Sequence, residues 1–339
     1  MNSIHGPTAG TRRLRFVLKA AFAVVVCALL INLADPALLW RSMQRADGLY
    51  VLAGSAVFLG GQLAAAQRWR GILRAGGIDL GTRRVFALNL MGASAGTFLP
   101  GQGSGDLVKC TLLFPSYPTR RAFLIASCLM DRMAGLTGTL CLAAAGAILL
   151  RATQQDWTLG LYIVSGGAIM LLLLLSGRRY REHILASRLA RNKISAAIIS
   201  CARELGRLAA NPRLALSSLA LSLLFQVSWA LSLWCMLRSV MPDAPLPAVM
   251  FAAPISILIA TVPVSLGGLG VREGAFTLLM QRFDVPADLA TVAALLSLLP
   301  IIITAATGAV LFALRFRVQA TATTPTAQVS CQQADKTPE

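Results

Sequence analysis

Three short stretches hold most of the residues that could do chemistry in an otherwise apolar chain: LPGQGSGDLVK (99–109), SCLMDRMAG (127–135) and VPVSLGGLGVRE (262–273). The first and third share a plan. Each has a proline (Pro100, Pro263), then clustered glycines (Gly101, Gly103, Gly105; Gly267, Gly268, Gly270), then charges of both signs (Asp106 and Lys109; Arg272 and Glu273). Glycine lets backbone approach a ligand closely, and a helix starting just after it offers unpaired N–H donors and a positive dipole end. That is chemistry for holding an anion such as a phosphate. The second stretch sets Asp131 and Arg132 about ten residues into an apolar run starting near Ala122, roughly 15 Å deep at helical rise. Charges at that depth cost about 2.5 kcal/mol or more each and face a bundle interior or a watery cavity.

Other chemistries are excluded. GQGSGD lacks the strand, turn, helix and Lys-Ser/Thr of a nucleotide-binding loop. The seven cysteines form no CxxC pair and the two histidines lie far apart, so no metal or other cofactor is expected. The carboxylates come without a nucleophile–base set, so the chain is not expected to be an enzyme. Its +17 charge sits beside apolar segments, which suits anionic lipid headgroups and leaves no module for nucleic acid.

The elements that must position these residues are helices in a bilayer. Only 13% of residues are charged, against about 25% in soluble domains, and the mean hydropathy is +0.68. The strand alternation of an outer-membrane barrel is missing. The expected fold is an all-α polytopic membrane protein with six full spans: Phe16 to Ala34, Gly48 to Ala66, Ala122 to Leu150, Leu159 to Leu175, Leu214 to Leu237 and Leu289 to Leu314. The first is read as a retained span, because it is long for a signal peptide and no A-x-A site follows. Residues 1–15 form an N-terminal tail and 316–339 a polar, disordered one. Ile194, Ile198, Cys201, Leu205 and Leu208 make 177–213 an amphipathic interfacial helix. Trp40, Trp69 and Trp157 read as interface anchors. Gln226 and Trp229 read as packing or helix–helix hydrogen bonding, and Asn89 and Ser94 as facing the polar centre.

The arms around the two glycine stretches are short for a crossing, so each stretch reads as a re-entrant broken helix. Six crossings then put 24 of the 31 basic residues on one face, which the positive-inside rule makes cytoplasmic, with both termini inside a plasma membrane. The stretches lie 163 residues apart, Pro100 to Pro263, and would dip from opposite faces. That is the mark of an inverted repeat, with halves 16–176 and 214–315 and the binding site where the broken helices meet. Arg132 would pair with Asp106 or Glu273, and Asp131 with Arg272 or Lys109. The blander readings are surface loops and charges that serve only as structural glue.

On FLPGQGSGDLVK, ASCLMDRMAGL and VPVSLGGLGVREGAF the sequence resembles the lysylphosphatidylglycerol synthase transmembrane-region family of flippase-like membrane proteins. The resemblance covers roughly 16–315 within the transmembrane domain. It departs at GQGSGD, where many members have a bulkier residue and paired glycines. It implies a bacterial inner-membrane lipid translocase, in a stand-alone form without the aminoacyl-transferase domain. The expected partners are membrane lipids with an anionic headgroup. The alternative is a non-transporting scaffold for a glycosyltransferase or lipid-modifying enzyme. In the translocase reading, amides near Gly101–Gly105 and Gly267–Gly270 hold the phosphate, Arg132 and Arg272 add charge, and Asp106, Asp131 and Glu273 balance or gate it.

Overall fold

A computed structural model of the chain describes residues 41, 44–98, 104–152, 200–201, 203–204, 206–208, 211–261 and 268–322. These residues form helices and turns in two series, with no strand among the described residues. The first series is α1 (Gly48–Ala75), α2 (Thr82–Phe98), α3 (Ser104–Leu113) and, after a 3-10 turn at Pro118–Arg120, α4 (Arg121–Ala152). The second is α5 (Pro212–Arg238), α6 (Leu246–Ala260), α7 (Val271–Gln281), α8 (Ala287–Leu296) and α9 (Leu298–Ala322). The first series runs long, short, short, long; the second runs long, short, short and then a pair, α8 and α9, in place of one long helix.

Local chemistry sets the boundaries. Asp47 accepts the N–H of Leu49 at the start of α1, and Asn211 accepts those of Arg213 and Leu214 at the start of α5. Helix α1 does not end at Ala66. It runs to Ala75 and closes where Gly77, at φ 78°, lets Ile78 N–H reach Leu73 O and Gly77 N–H reach Arg74 O. The span expected over 289–314 is two helices, because Pro300 has no N–H to give and its ring crowds the carbonyl four residues back. Helix α9 continues through Ala322, into the segment read as a disordered tail from 316. Extending a formed helix needs no new nucleus.

Four segments are long and apolar enough to cross a bilayer: Gly48–Ala75, Pro118–Leu150, Pro212–Arg238 and Ala287–Leu314. They match four of the six expected spans. The other two, the N-terminal tail, most of the interfacial helix and the end of the chain lie outside the described residues. Large apolar side chains such as Leu52, Leu63, Leu129, Ile148, Leu224 and Ile302 point outward, where a soluble protein would place polar ones.

Helices α1 and α5, the equivalent first helices of the two series, form the largest contact and lie antiparallel. Asp47 N–H bonds Ser239 O, Gly54 backs onto Ser232 and Cys235, Gly61 onto Phe225 and Ser228, and Arg68 reaches Ser222. Positions rise along α1 as they fall along α5, so the two halves are inverted relative to each other. Each half also lends its last helix to the other. Gly146 of α4 presses on Phe251 of α6, and Gly308 of α9 presses on Leu90 of α2. Two apolar cores result, one around Trp69, Leu88, Leu113 and Leu124, the other around Met236, Phe251, Ile255 and Phe276.

A methyl group at Gly308 would lie 2.0 Å from Leu90 O, whereas one at Gly60 meets nothing within 4 Å. Gly308→Ala is therefore expected to destabilise the protein by about 1–3 kcal/mol. Gly60→Ala should leave the melting temperature in detergent unchanged or higher. Equal melting of the two variants would contradict the crossing.

Candidate functional site

The site begins with Asp131, one turn beyond Ser127 on the buried face of α4. Its carboxylate takes Arg68 Nε of α1 at 2.7 Å and Lys109 Nζ of α3 at 3.4 Å. All three side chains are buried. Lys109 also meets Asp106 Oδ1 at 3.0 Å, and Asp106 Oδ2 accepts from Arg132 Nη1 at 2.7 Å. The result is a ladder, Arg68–Asp131–Lys109–Asp106–Arg132, of three cations and two carboxylates with a formal charge of +1. It is buried at the Arg68 end. At the Arg132–Asp106 end those side chains keep 32% and 25% of their exposure.

The surroundings explain how this charge is tolerated. Arg68 Nη1 donates to Ser222 Oγ of α5 at 3.0 Å, and Lys109 Nζ stands 5.0 Å over the Trp69 ring. The Trp69 indole donates to Ser127 Oγ at 3.2 Å. Helix α3 can deliver Lys109 there because it crosses α2 at bare backbone. A Cβ on Gly105 would fall 2.3 Å from Gly92 O, and one on Gly92 would fall 2.6 Å from Lys109 Cγ. Gly105 thus has a packing reason to be glycine.

A second, smaller cluster sits at the start of α7. Gly268 and Gly270 both have φ of 80°, a conformation that costs residues with a Cβ dearly. Glu273 Oε2 accepts Gly270 N–H at 2.7 Å, a carboxylate in the third helical position capping its own helix. Glu273 Oε1 accepts from Arg272 Nε and Nη2, and the Arg272 guanidinium lies 4.9 Å from the Trp229 ring centre on α5. Both clusters therefore lean on α5, at Ser222 and Trp229. Those seven residues separate them by about 10 Å along the helix axis.

Of the residues singled out in the sequence, Gly105, Asp106, Lys109, Asp131 and Arg132 come together around α3 and α4. Gly268, Gly270, Arg272 and Glu273 come together at α7. Pro100, Gly101, Gly103, Pro263 and Gly267 lie outside the described residues. The open pairings resolve to Arg132 with Asp106 and Asp131 with Lys109, while Arg272 and Glu273 pair with each other. The Gly270 amide is already committed to Glu273.

Two readings are corrected. Arg68, beyond the span end expected at Ala66, lies within α1, is 7% exposed and is the nearest partner of Asp131. Trp69 is no interface anchor, being wholly buried under Lys109. The signal for both was in the sequence. Gly54, Phe58, Gly61, Ala65, Arg68 and Ile72 alternate spacings of four and three, one helix face continuing past Ala66. Asn89 is buried and donates to Gln62 Oε1.

Apolar helices of spanning length around a buried, net-cationic ladder define a multi-pass helical membrane protein with an internal polar site. The family model described as lysylphosphatidylglycerol synthase TM region matches residues 16–308, and the chain belongs to that family. None of the curated proteins matches the chain.

Removing the Asp131 carboxylate leaves two buried cations without their counter-charge. Asp131→Ala is expected to cost about 3–5 kcal/mol of stability, with part recovered by adding Arg68→Met. Arg207→Ala, which breaks the outlying Arg207–Glu204 pair at 3.2 Å, should cost less than about 1 kcal/mol. Unfolding of each variant in detergent measures the difference.

Proposed function

We propose that the protein moves an anionic phospholipid, or a related lipid, between the leaflets of a bacterial inner membrane. Its basic face and both termini would lie in the cytoplasm. The observation that carries the reading is the +1 ladder, which stays within the bundle yet keeps its Arg132 end accessible. A net cation in a low-dielectric interior is favoured by an anion beside it, and a lipid phosphate brings that charge with acyl chains that remain in hydrocarbon. Arg132 supplies the charge-assisted contact, and Lys109 and Asp106 hold it in place. Arg272, stacked on Trp229, offers a second cation nearer the other end of α5. The antiparallel halves give the site two related routes of access, and rocking one half against the other would open them in turn. Family membership supports a role in lipid handling.

A second reading is a membrane scaffold for a glycosyltransferase or lipid-modifying enzyme. It is favoured by the close engagement of Asp131 with Arg68 and Lys109, which would suit a purely structural ladder.

A leaflet-exchange assay with labelled anionic phospholipid in liposomes separates the two. Losing one charge-assisted hydrogen bond is worth about 1.5–3 kcal/mol. Arg132→Ala is therefore expected to slow exchange about tenfold or more per folded molecule. Equal rates for the wild type, Arg132→Ala and Arg272→Ala would overturn the translocase reading and leave the scaffold.

A further inference from the structure

Three buried side-chain atoms among the described residues have no hydrogen-bond partner in the protein: Ser218 Oγ, Gln226 Oε1 and Trp229 Nε1. All three belong to α5 and all three residues are at most 5% exposed. With Ser222, which bonds Arg68, they stand at positions i, i+4, i+8 and i+11. That confines them to an arc of about 80° and spreads them over about 16 Å of helix, half the hydrocarbon thickness. A stripe of polar groups thus runs from beside the charge ladder to the Arg272 cluster, and most of its hydrogen-bonding capacity is unspent.

The chemistry of the stripe is specific. Thr139 Oγ1 gives its proton to Gly135 O, so toward Gln226 it can only accept. The amide nitrogen of Gln226 must therefore face Thr139, and the amide oxygen is the atom left over. One turn away the Trp229 indole N–H is left over as a donor, its ring held edge-on by Phe58 at 5.3 Å and covered by Arg272. A buried acceptor and a buried donor, each without a partner, carry an uncompensated desolvation cost. A group that accepts and donates at once satisfies both, and that group is a hydroxyl.

We propose that Trp229 Nε1 and Gln226 Oε1 form a second binding subsite, for a hydroxyl group carried on the headgroup of a lipid whose phosphate binds the neighbouring cations. This rests on the translocase reading and extends it, because the subsite selects among anionic headgroups by their hydroxyls. Its place on Trp229, whose ring the Arg272 guanidinium covers at 4.9 Å, sets the hydroxyl within reach of a short polyol attached to a phosphate held at Arg272. Water offers the same donor and acceptor, so the test must tell the two apart.

The full chain in uncharged detergent is titrated with phosphatidylglycerol and with phosphatidylmethanol in a fluorescent-lipid displacement assay. The two share one phosphodiester charge and differ in headgroup hydroxyls. The wild type is expected to bind phosphatidylglycerol about tenfold more tightly, a difference of about 1.4 kcal/mol. Trp229→Phe, and independently Gln226→Met, should bring the two lipids within about twofold of each other, read as the ratio of the two affinities within each variant so that any general change in phosphate binding cancels. Equal binding of both lipids by the wild type means that the stripe takes water, and overturns the subsite alone. An unchanged preference in either variant overturns it too. Binding of neither lipid overturns the subsite and the translocase reading together. Equal binding by the wild type overturns the subsite even if both variants misfold.

Discussion

The carboxylate of Asp131 is the constraint on which the first half of the protein is built. Once a full negative charge stands midway along a spanning helix, two cations must be brought to it, and they come from different helices. Arg68 fixes the rotation of α1, and Lys109 fixes the depth of α3. Replacing the cluster by apolar residues would be cheaper in stability terms, as buried ion pairs seldom outperform well-packed side chains. What the cluster adds, and an apolar core would lack, is a surplus positive charge.

The same economy of space appears where helices cross. Without a hydrophobic drive between them in lipid, membrane helices gain from close van der Waals contact and from small residues that permit it. Gly54 and Gly61 bring α1 onto α5, Gly92 and Gly105 bring α2 onto α3, and Gly138 brings α4 onto Ser222. Ser222 is thus wedged between α4 and the Arg68 guanidinium, and apolar packing and the charge ladder meet on one residue. Small residues and ion pairs are two parts of one solution, since a side chain at Gly92 would displace Lys109 from Asp131.

Much of this was legible in the sequence, and for clear reasons. Apolar runs of spanning length, paired glycine stretches and an Asp-Arg dipeptide inside hydrocarbon are strong local signals, and the helical class and the choice of Asp106 or Glu273 as partner for Arg132 follow from them; only the fold decides for Asp106. What local signals could not give was the end of α1. A basic residue after an apolar run reads as the membrane edge, and only the three-and-four spacing through Arg68 says otherwise. The joint at Pro300 was likewise hidden, because a proline in the first turn of a helix leaves the hydropathy of a span untouched. The unspent polar atoms on α5 were beyond reach altogether. Their lack of partners is a property of what packs around them, not of the residue types.

The contact between Gly308 and Leu90 sets an order on biogenesis. The seat on α2 is synthesised 218 residues before the helix that covers it. At about 5–20 residues per second of ribosomal elongation, that surface waits roughly 10–45 s. Through that interval the first hairpin must be sheltered by lipid or by an insertion chaperone, and truncation before α9 would leave it without its native lid.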